Sequence, residues 1–231
     1  MLCRWEQLPE FMRTEEVYPY YEILRKHRYG LLMKRTFDFA MSSALLIILS
    51  PIFLALALWI KLDSEGPVFY RQERVTQYGR RFRIYKFRTM VQNADKIGSL
   101  VTVGSDARIT NAGKKLRGCR LDELPQLINI WKGEMTFVGT RPEVPKYVEK
   151  YTNEMYATLL LPAGVTSEAS IEFKDEDKMI TKGMKEGLSA DWVYVEEVLP
   201  RKMRWNLEGI TSFSSYSEIK LLLKTVLAVI K

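Results

Sequence analysis

The stretch "RGCRLDELPQL", Arg117 to Leu127, sets two adjacent carboxylates, Asp122 and Glu123, just after two arginines and just before Pro125. Pro125 suits the first turn of a helix over "LDELPQLINIWKGEM". In that helix Leu124, Leu127, Ile128 and Trp131 would share an apolar face, and Gly133 would serve the exit. Unpaired N–H groups and the helix dipole favour negative charge at such a start, so the pair can be a plain cap. The surroundings argue for more. Arg117 and Arg120 precede the pair, Arg141 follows in "GTRP", and Lys86, Arg88 and Arg108 lie upstream in strand and loop segments. Converging cations at a helix N-terminus make a site for a phosphate or diphosphate. A carboxylate inside that site has two chemical uses. It can hold Mg²⁺ together with substrate phosphates, or it can attack phosphorus itself.

Other chemistries are narrowed by what the chain contains. His27 is the only histidine, which excludes imidazole-rich zinc sites and any Ser-His-Asp triad not built on it. Cys3 and Cys119 have no metal spacing and read as reduced thiols of a cytoplasmic compartment. The net charge of +7 over 231 residues points to an anionic partner: nucleic acid, anionic lipid or a phosphorylated small molecule. No early apolar core or cleavage pattern marks a secretory signal.

The elements that must position the dyad begin with an apolar run. From Phe39 to Ile60 there are 22 residues without a charge, about 33 Å as a straight helix, the thickness of a bilayer's hydrocarbon core. Ser50-Pro51 interrupts it. Proline removes a backbone hydrogen bond and kinks the helix, and the serine hydroxyl can serve a freed carbonyl. Both flanks are basic, Arg25 to Arg35 before the run and Lys61 to Arg81 after it, so neither end is marked as the far side. A segment that bends at Ser50-Pro51 and returns to the same leaflet satisfies both flanks. Lys34 and Arg35 are then expected at lipid headgroups.

Beyond it, "SEGPVFYRQERV" and "RRFRIYKFRTM" read as two short strands joined at "TQYG", with Gly79 free to take positive φ. "LVTVGSDARITNAGKKLRG" reads as a loop leading into a short helix, and "FVGTRPEVPKYVEKY" as a turn and a helix. The end of the chain reads as two helices. The last carries a stripe of Ile219, Leu222, Leu223, Val226, Leu227 and Ile230, expected to pack in a core or interface. Residues 1–30 are polar and aromatic, an extension with short helices. A helix-turn-helix could be drawn around "AGKKLRGCRLDELPQLINIWKG", but Asp122 and Glu123 would repel nucleic-acid phosphates and the apolar run has no place in it, so nucleic acid is excluded as a partner.

Taken in order, "KRTFDFAMSSALLIILSPIFLALALWIKLDSEGPVFYRQERV", "FRIYKFRTM", "RITNAGKKLRGCRLDELPQLINIWKGEMTFVGTRP" and "VLPRKMRWNL" resemble successive blocks of the bacterial sugar transferases, the monotopic polyprenyl-phosphate phosphoglycosyl transferases. The resemblance covers Met33 to the C-terminus. It implies an α+β, helix-rich single catalytic domain with a small sheet, a re-entrant Ser50-Pro51-broken membrane helix and interfacial helices. The divisions expected are 1–30 as extension, 31–65 as re-entrant helix and 66–231 as catalytic domain, at the cytoplasmic face of a bacterial inner membrane. The implied reaction moves a sugar 1-phosphate from a UDP-sugar to a polyprenyl phosphate such as undecaprenyl phosphate, with Mg²⁺ as cofactor, and begins a surface glycan. Matched to the family dyad, Asp122 is the nucleophile and a metal ligand and Glu123 its partner, with Lys86, Arg88, Arg117 and Arg141 as phosphate contacts. Membrane phospholipids are a further partner, and a homodimer is left open. The chain also departs from the family. Thr140 stands where proline is common, which implies a looser turn presenting Arg141. Thr76 stands where glycine is usual, Ala163 enters the Pro-Gly turn, and the Gly-x-Ala-Gln run is absent, so donor identity does not carry over.

Overall fold

Alternation in "FYRQERV" and "RFRIYKF" makes two half-buried strands, and these form β1 (Phe69–Val75) and β2 (Arg81–Phe87), paired antiparallel with Tyr70 opposite Lys86 and Arg74 opposite Phe82. The turn between them needs positive φ twice, at Tyr78 (60°) and Gly79 (75°). The chain is seen in a computed structural model that describes residues 2–94, 106–173 and 176–230, and it has the helix-rich α+β character expected. The loop expected before Asp106 lies, up to residue 105, outside the described residues.

Three helices precede β1: α1 (Tyr18–Lys26), α2 (Arg28–Ile48) and α3 (Ser50–Asp63). No single helix among the described residues is long and apolar enough to cross a membrane. Together α2 and α3 are, and they bend by 62° at Leu49. The hydroxyl of Ser50 donates to the carbonyl of Ile47 at 2.8 Å, at the break made by Pro51. One side of this pair packs inward, with Leu45, Leu46, Leu49 and Phe53 against a small core of Phe82, Ile84, Leu127 and Ile130. The other side is bare: Ile47, Leu54 and Leu58 are 74%, 72% and 62% exposed.

Both ends of the pair are fastened to the same body. Asp38, buried in α2, accepts hydrogen bonds from Thr136 Oγ1 (2.6 Å) and Phe137 N (3.2 Å). Lys34 and Arg35 do not face outward to headgroups, as expected, but turn inward. Lys34 donates to the carbonyl of Val138 (2.7 Å) and pairs with Glu218. Arg35 donates to the carbonyl of Ile130 (2.7 Å), which also accepts from Gly133 N, and to that of Trp131 (3.0 Å), both at a helix end. At the other end Arg88 donates to the carbonyls of Ser64 (2.6 Å), Glu65 (2.8 Å) and Ile60 (3.3 Å). Asp63 accepts from Ala112 N in α4 (Asn111–Gly118), whose own start Thr110 caps.

The expected single helix over "LDELPQLINIWKGEM" is two pieces. A tight turn, Leu121–Glu123, follows Arg120 in the left-handed region (φ 54°), and α5 (Gln126–Lys132) begins after Pro125 and ends at left-handed Gly133. The buried side of α5 is Gln126, Leu127, Asn129 and Ile130, while Trp131 lies outside, stacked on Phe39 of α2. Asn129 decides that rotation. Its amide oxygen accepts from Tyr85 N (2.9 Å) and its nitrogen donates to the carbonyl of Arg83 (3.1 Å), so α5 docks on β2 as a neighbouring strand would.

A second sheet was not foreseen. β3 (Met135–Val138) and, after α6 (Pro145–Val148), β4 (Ala163–Thr166) pair in parallel. Their ends touch backbone to backbone: Gly164 N donates to Thr140 O (2.8 Å) and Gly139 N to Thr166 O (2.9 Å). The turn before Arg141 is therefore pinned, not loosened, despite Thr140. Thr76 braces the same place, donating to Glu134 O (2.7 Å) and accepting from Ala163 N (3.1 Å).

The remaining helices are α7 (Glu168–Glu172), α8 (Glu176–Lys185), α9 (Ala190–Val193), α10 (Leu199–Thr211) and α11 (Ser215–Ile230). Leu8, Met12, Val17 and Leu24 from the first thirty residues pack with Ile180, Val198, Met203 and Ile210. The N-terminal segment is thus part of the main core, and each such side chain contributes about 1.5–3 kcal/mol. Of the stripe on α11, Ile219, Leu223 and Leu227 are exposed within this chain.

A Cβ on Gly164 would lie 2.2 Å from the backbone of Gly139, whereas one on Gly118 would meet nothing within 4 Å. Gly164→Ala is expected to destabilise the protein by about 1–3 kcal/mol or more, and Gly118→Ala to be neutral or mildly stabilising. Thermal melting of the two variants beside the parent checks this.

Candidate active site

The dyad is presented by backbone strain and a tight turn. Arg120 in the left-handed region reverses the chain after α4, and Leu121–Glu123 then aims both carboxylates at β2. There the two part company. Glu123 accepts from Lys86 Nζ on β2 (2.8 Å), and from the Arg141 guanidinium, one nitrogen of which lies at 3.2 Å while the other makes a closer bond to the oxygen shared with Lys86. The Asp122 carboxyl is served by its own backbone N–H, and no hydrogen bond or ion pair joins it to another side chain among the described residues. It lines an open cavity of about 920 Å³, bounded also by Arg71, Arg74 and Arg117, a size that suits a small-molecule ligand.

Of the cations expected to contact phosphate, Lys86, Arg117 and Arg141 come together around the dyad. Arg117 is steadied by a bond from its Nε to Thr89 Oγ1 (2.9 Å). Arg88 lines the cavity too, but it is buried and its terminal nitrogens bond the end of α3 and Ser64 Oγ (2.9 Å), so it also caps that helix. Arg108 is paired with Asp106 (2.6 Å) at the cavity's edge. Ser50 and Pro51 act on the site only through the course of α2 and α3.

Several lining residues were not picked out from the sequence. Arg74 bonds Gln72 Oε1 (2.6 Å) and the carbonyl of Pro142 (3.0 Å), and Arg71 lies 4.0 Å over the ring of Tyr85. The register of β1 on β2 carries that signal: Tyr70 faces Lys86, and Gln72 and Arg74 follow at period two. Glu176 and Lys202, from α8 and α10, reach the cavity from far along the chain, and no local pattern marks them.

For a divalent ion the donor set is sparse. No cluster of three or more His, Cys, Asp or Glu side chains that could hold a metal occurs among the described residues. Glu123 is already occupied by cations, which leaves Asp122 as the open carboxylate. That fits Mg²⁺ held by one carboxylate plus the phosphates of a bound substrate, and does not fit a cage made by protein alone.

Comparison with known proteins places the chain among relatives. Residues 29–231 match the profile described as bacterial sugar transferase. An Aeromonas hydrophila protein named UDP-N-acetylgalactosamine-undecaprenyl-phosphate N-acetylgalactosaminephosphotransferase is 40% identical over 143 residues, which cover 60% of this chain and 34% of that protein. Proteins named UDP-glucose:undecaprenyl-phosphate glucose-1-phosphate transferase are similar too. The one from Klebsiella pneumoniae is 35% identical over 172 residues, 72% of this chain and 36% of the relative. The one from Escherichia coli (strain K12) is 32% identical over 200 residues, 84% of this chain and 39% of the relative. The chain thus spans little more than a third of the length of these curated relatives.

The two carboxyls are driven apart in acidity. Burial pushes Asp122 up, the neighbouring Glu123 charge adds to that, and Lys86 and Arg117 only partly oppose it. Burial also pushes Glu123 up, but Arg141 and Lys86 outweigh it and hold that carboxyl well below the usual range. The signs for stability are opposite. The ion pairs of Glu123 stabilise the fold fully above the ordinary carboxylate pKa, and that contribution is lost as pH falls through its depressed value. Folding favours the neutral form of Asp122, a contribution present below the ordinary value and lost as pH rises through the raised one. Replacing Glu123 by Gln removes a negative neighbour and frees two cations. The titration of Asp122, followed by carbon NMR of labelled aspartate, is expected to move to lower pH in Glu123→Gln.

Proposed function

The chain belongs to the bacterial sugar transferase family, and we propose that it moves a sugar 1-phosphate from a UDP-sugar to a polyprenyl phosphate such as undecaprenyl phosphate. The observation that carries this reading is the contrast within the dyad: Glu123 is locked between Lys86 and Arg141, while Asp122 is open to the cavity beside Arg117. Asp122 attacks the phosphorus that bears the sugar. The bond from that phosphorus to the UMP oxygen breaks, UMP leaves with the electron pair, and the phosphosugar remains on the Asp122 carboxyl. A polyprenyl phosphate oxygen then attacks the same phosphorus, the bond to Asp122 breaks, and the carboxylate is restored. Asp122 and the donor phosphates would hold Mg²⁺, which would neutralise charge on the diphosphate.

The residues of the chain do the rest. Arg117 and Arg141 face the phosphate oxygens. Lys86 is divided between Glu123 and the cavity. Glu123 is kept ionised by its cations, which supports a positioning role over proton handling. It holds Lys86 and Arg141 in place beside Asp122.

The acceptor is a lipid, and the bent pair suits its delivery. The bare face of α2 and α3 around Ile47, Leu54 and Leu58 matches a hydrocarbon environment. The start of α2 and the end of α3 are tied to the same catalytic body through Lys34, Arg35, Asp38 and Arg88. This supports a segment that enters and leaves by one face, with the catalytic body at the cytoplasmic side of the bacterial inner membrane.

Asp122→Asn is expected to lower UMP release by about 10⁴-fold or more. Brief incubation of the parent with donor in the absence of acceptor should leave a phosphosugar adduct on Asp122, seen by peptide mass spectrometry. Normal turnover by Asp122→Asn, or an adduct on another residue, would overturn the assignment.

A further inference from the structure

The cavity wall differs in chemistry from place to place. Around Asp122 the lining is cationic, with Lys86, Arg117 and Arg141. Around Glu176 and Lys202 it is mixed. Lys202 Nζ lies 3.1 Å from Tyr194 Oη, 3.2 Å from Glu176 Oε2 and 3.5 Å from Glu143 Oε1, and Tyr194 donates to Glu143 at 2.5 Å. Glu143 and Lys202 are nearly buried, with side chains 6% and 12% exposed, whereas Glu176 is 34% exposed at the cavity wall. Arg141 stands within electrostatic reach of both sets, Glu123 on the one hand and Glu143 and Glu176 on the other.

Glu176 and Lys202 there set an acceptor beside a donor, with the guanidinium groups of Arg74 and Arg141 also close to Glu143. A group rich in hydroxyls suits such a mixed wall, because each hydroxyl both donates and accepts: carboxylate oxygens take the donated hydrogens and the ammonium serves the oxygens. Phe173, also on the wall, offers an apolar face for ring C–H groups. In a UDP-sugar the hexose hangs from the phosphorus that meets Asp122, so it must extend from that point along the cavity. The cationic side suits the diphosphate, which leaves the mixed wall for the sugar.

We propose that the cavity wall formed by Glu176 and Lys202 binds the hexose of the donor, and that Glu176, the more accessible of the two, sets which hexose is preferred. This rests on the reading of the chain as a UDP-sugar transferase. Buried ion networks of this kind are costly to assemble from desolvated charges, and a role in holding substrate hydroxyls accounts for one placed at a cavity wall.

The test is calorimetric titration of the full chain in lipid nanodiscs with UDP and, separately, with UDP-glucose, UDP-galactose, UDP-N-acetylglucosamine and UDP-N-acetylgalactosamine. In Glu176→Ala the tightest-binding UDP-sugar of the parent is expected to lose about tenfold in affinity, the effect of one charge-assisted hydrogen bond, with the ranking of the C4 epimers changed. UDP itself should bind equally or more tightly, since a negative charge has been removed. Lys202→Gln, accompanied by a thermal melt that shows it folded, should weaken the sugar nucleotide in the same direction. Affinity for the preferred UDP-sugar, relative to UDP, that stays within twofold of the parent in Glu176→Ala would overturn the sugar assignment. Failure of the parent to bind UDP or any of the four would instead overturn the UDP-sugar reading beneath it.

Discussion

Glu123 holds the site together. Its carboxylate receives Lys86 from β2 and Arg141 from the turn after β3, so one side chain joins a strand, a tight turn and a loop from three parts of the chain. Half-buried charges are stable only as a set, and removing one leaves its partners desolvated and unpaired. That constraint separates the two carboxylates of the dyad. Glu123 is bound as a strut between strand and loop, whereas Asp122 has no such pair of cations bonded to it.

The same logic recurs wherever an element ends. Arg35 takes the carbonyls at the end of α5, Arg88 takes those at the end of α3, and Asn129 satisfies backbone groups of β2. Each polar side chain bonds backbone groups of a helix or strand and, in doing so, fixes one element relative to another. Gly139 and Gly164 do this without side chains, by letting two strands approach until their backbones bond. The position of Arg141 therefore depends on Thr76, Gly164 and Glu123 together, residues that lie far apart in the sequence.

What was legible beforehand was local. The dyad before Pro125, the Ser50-Pro51 break, the left-handed Gly79 and Gly133 and the two strands beside "TQYG" are all set by neighbours a few positions away, and they appear as read. What failed was decided at a distance. Lys34 and Arg35 carry the composition of an interface segment, yet carbonyls and a carboxylate from the other half of the chain draw them inward. The apolar periodicity of α5 chose Trp131 for the core, but the hydrogen bonds of Asn129 turned the helix otherwise. Thr140 suggested a loose turn because the parallel partner that pins it, β4, is too short to announce itself. Lys202 lacks any local mark, because its meaning comes from Tyr194, Glu143 and Glu176 around it.

The packing of the first thirty residues bears on how the molecule is made. α1 ends at Lys26 and packs on α10, which begins at Leu199, 173 positions later. During synthesis the early segment leaves the ribosome long before its partner exists, and the greasy bent pair follows it directly. Closure between such remote segments is slow, so the core that α1 shares with α10 closes late, well after the bent pair has been made.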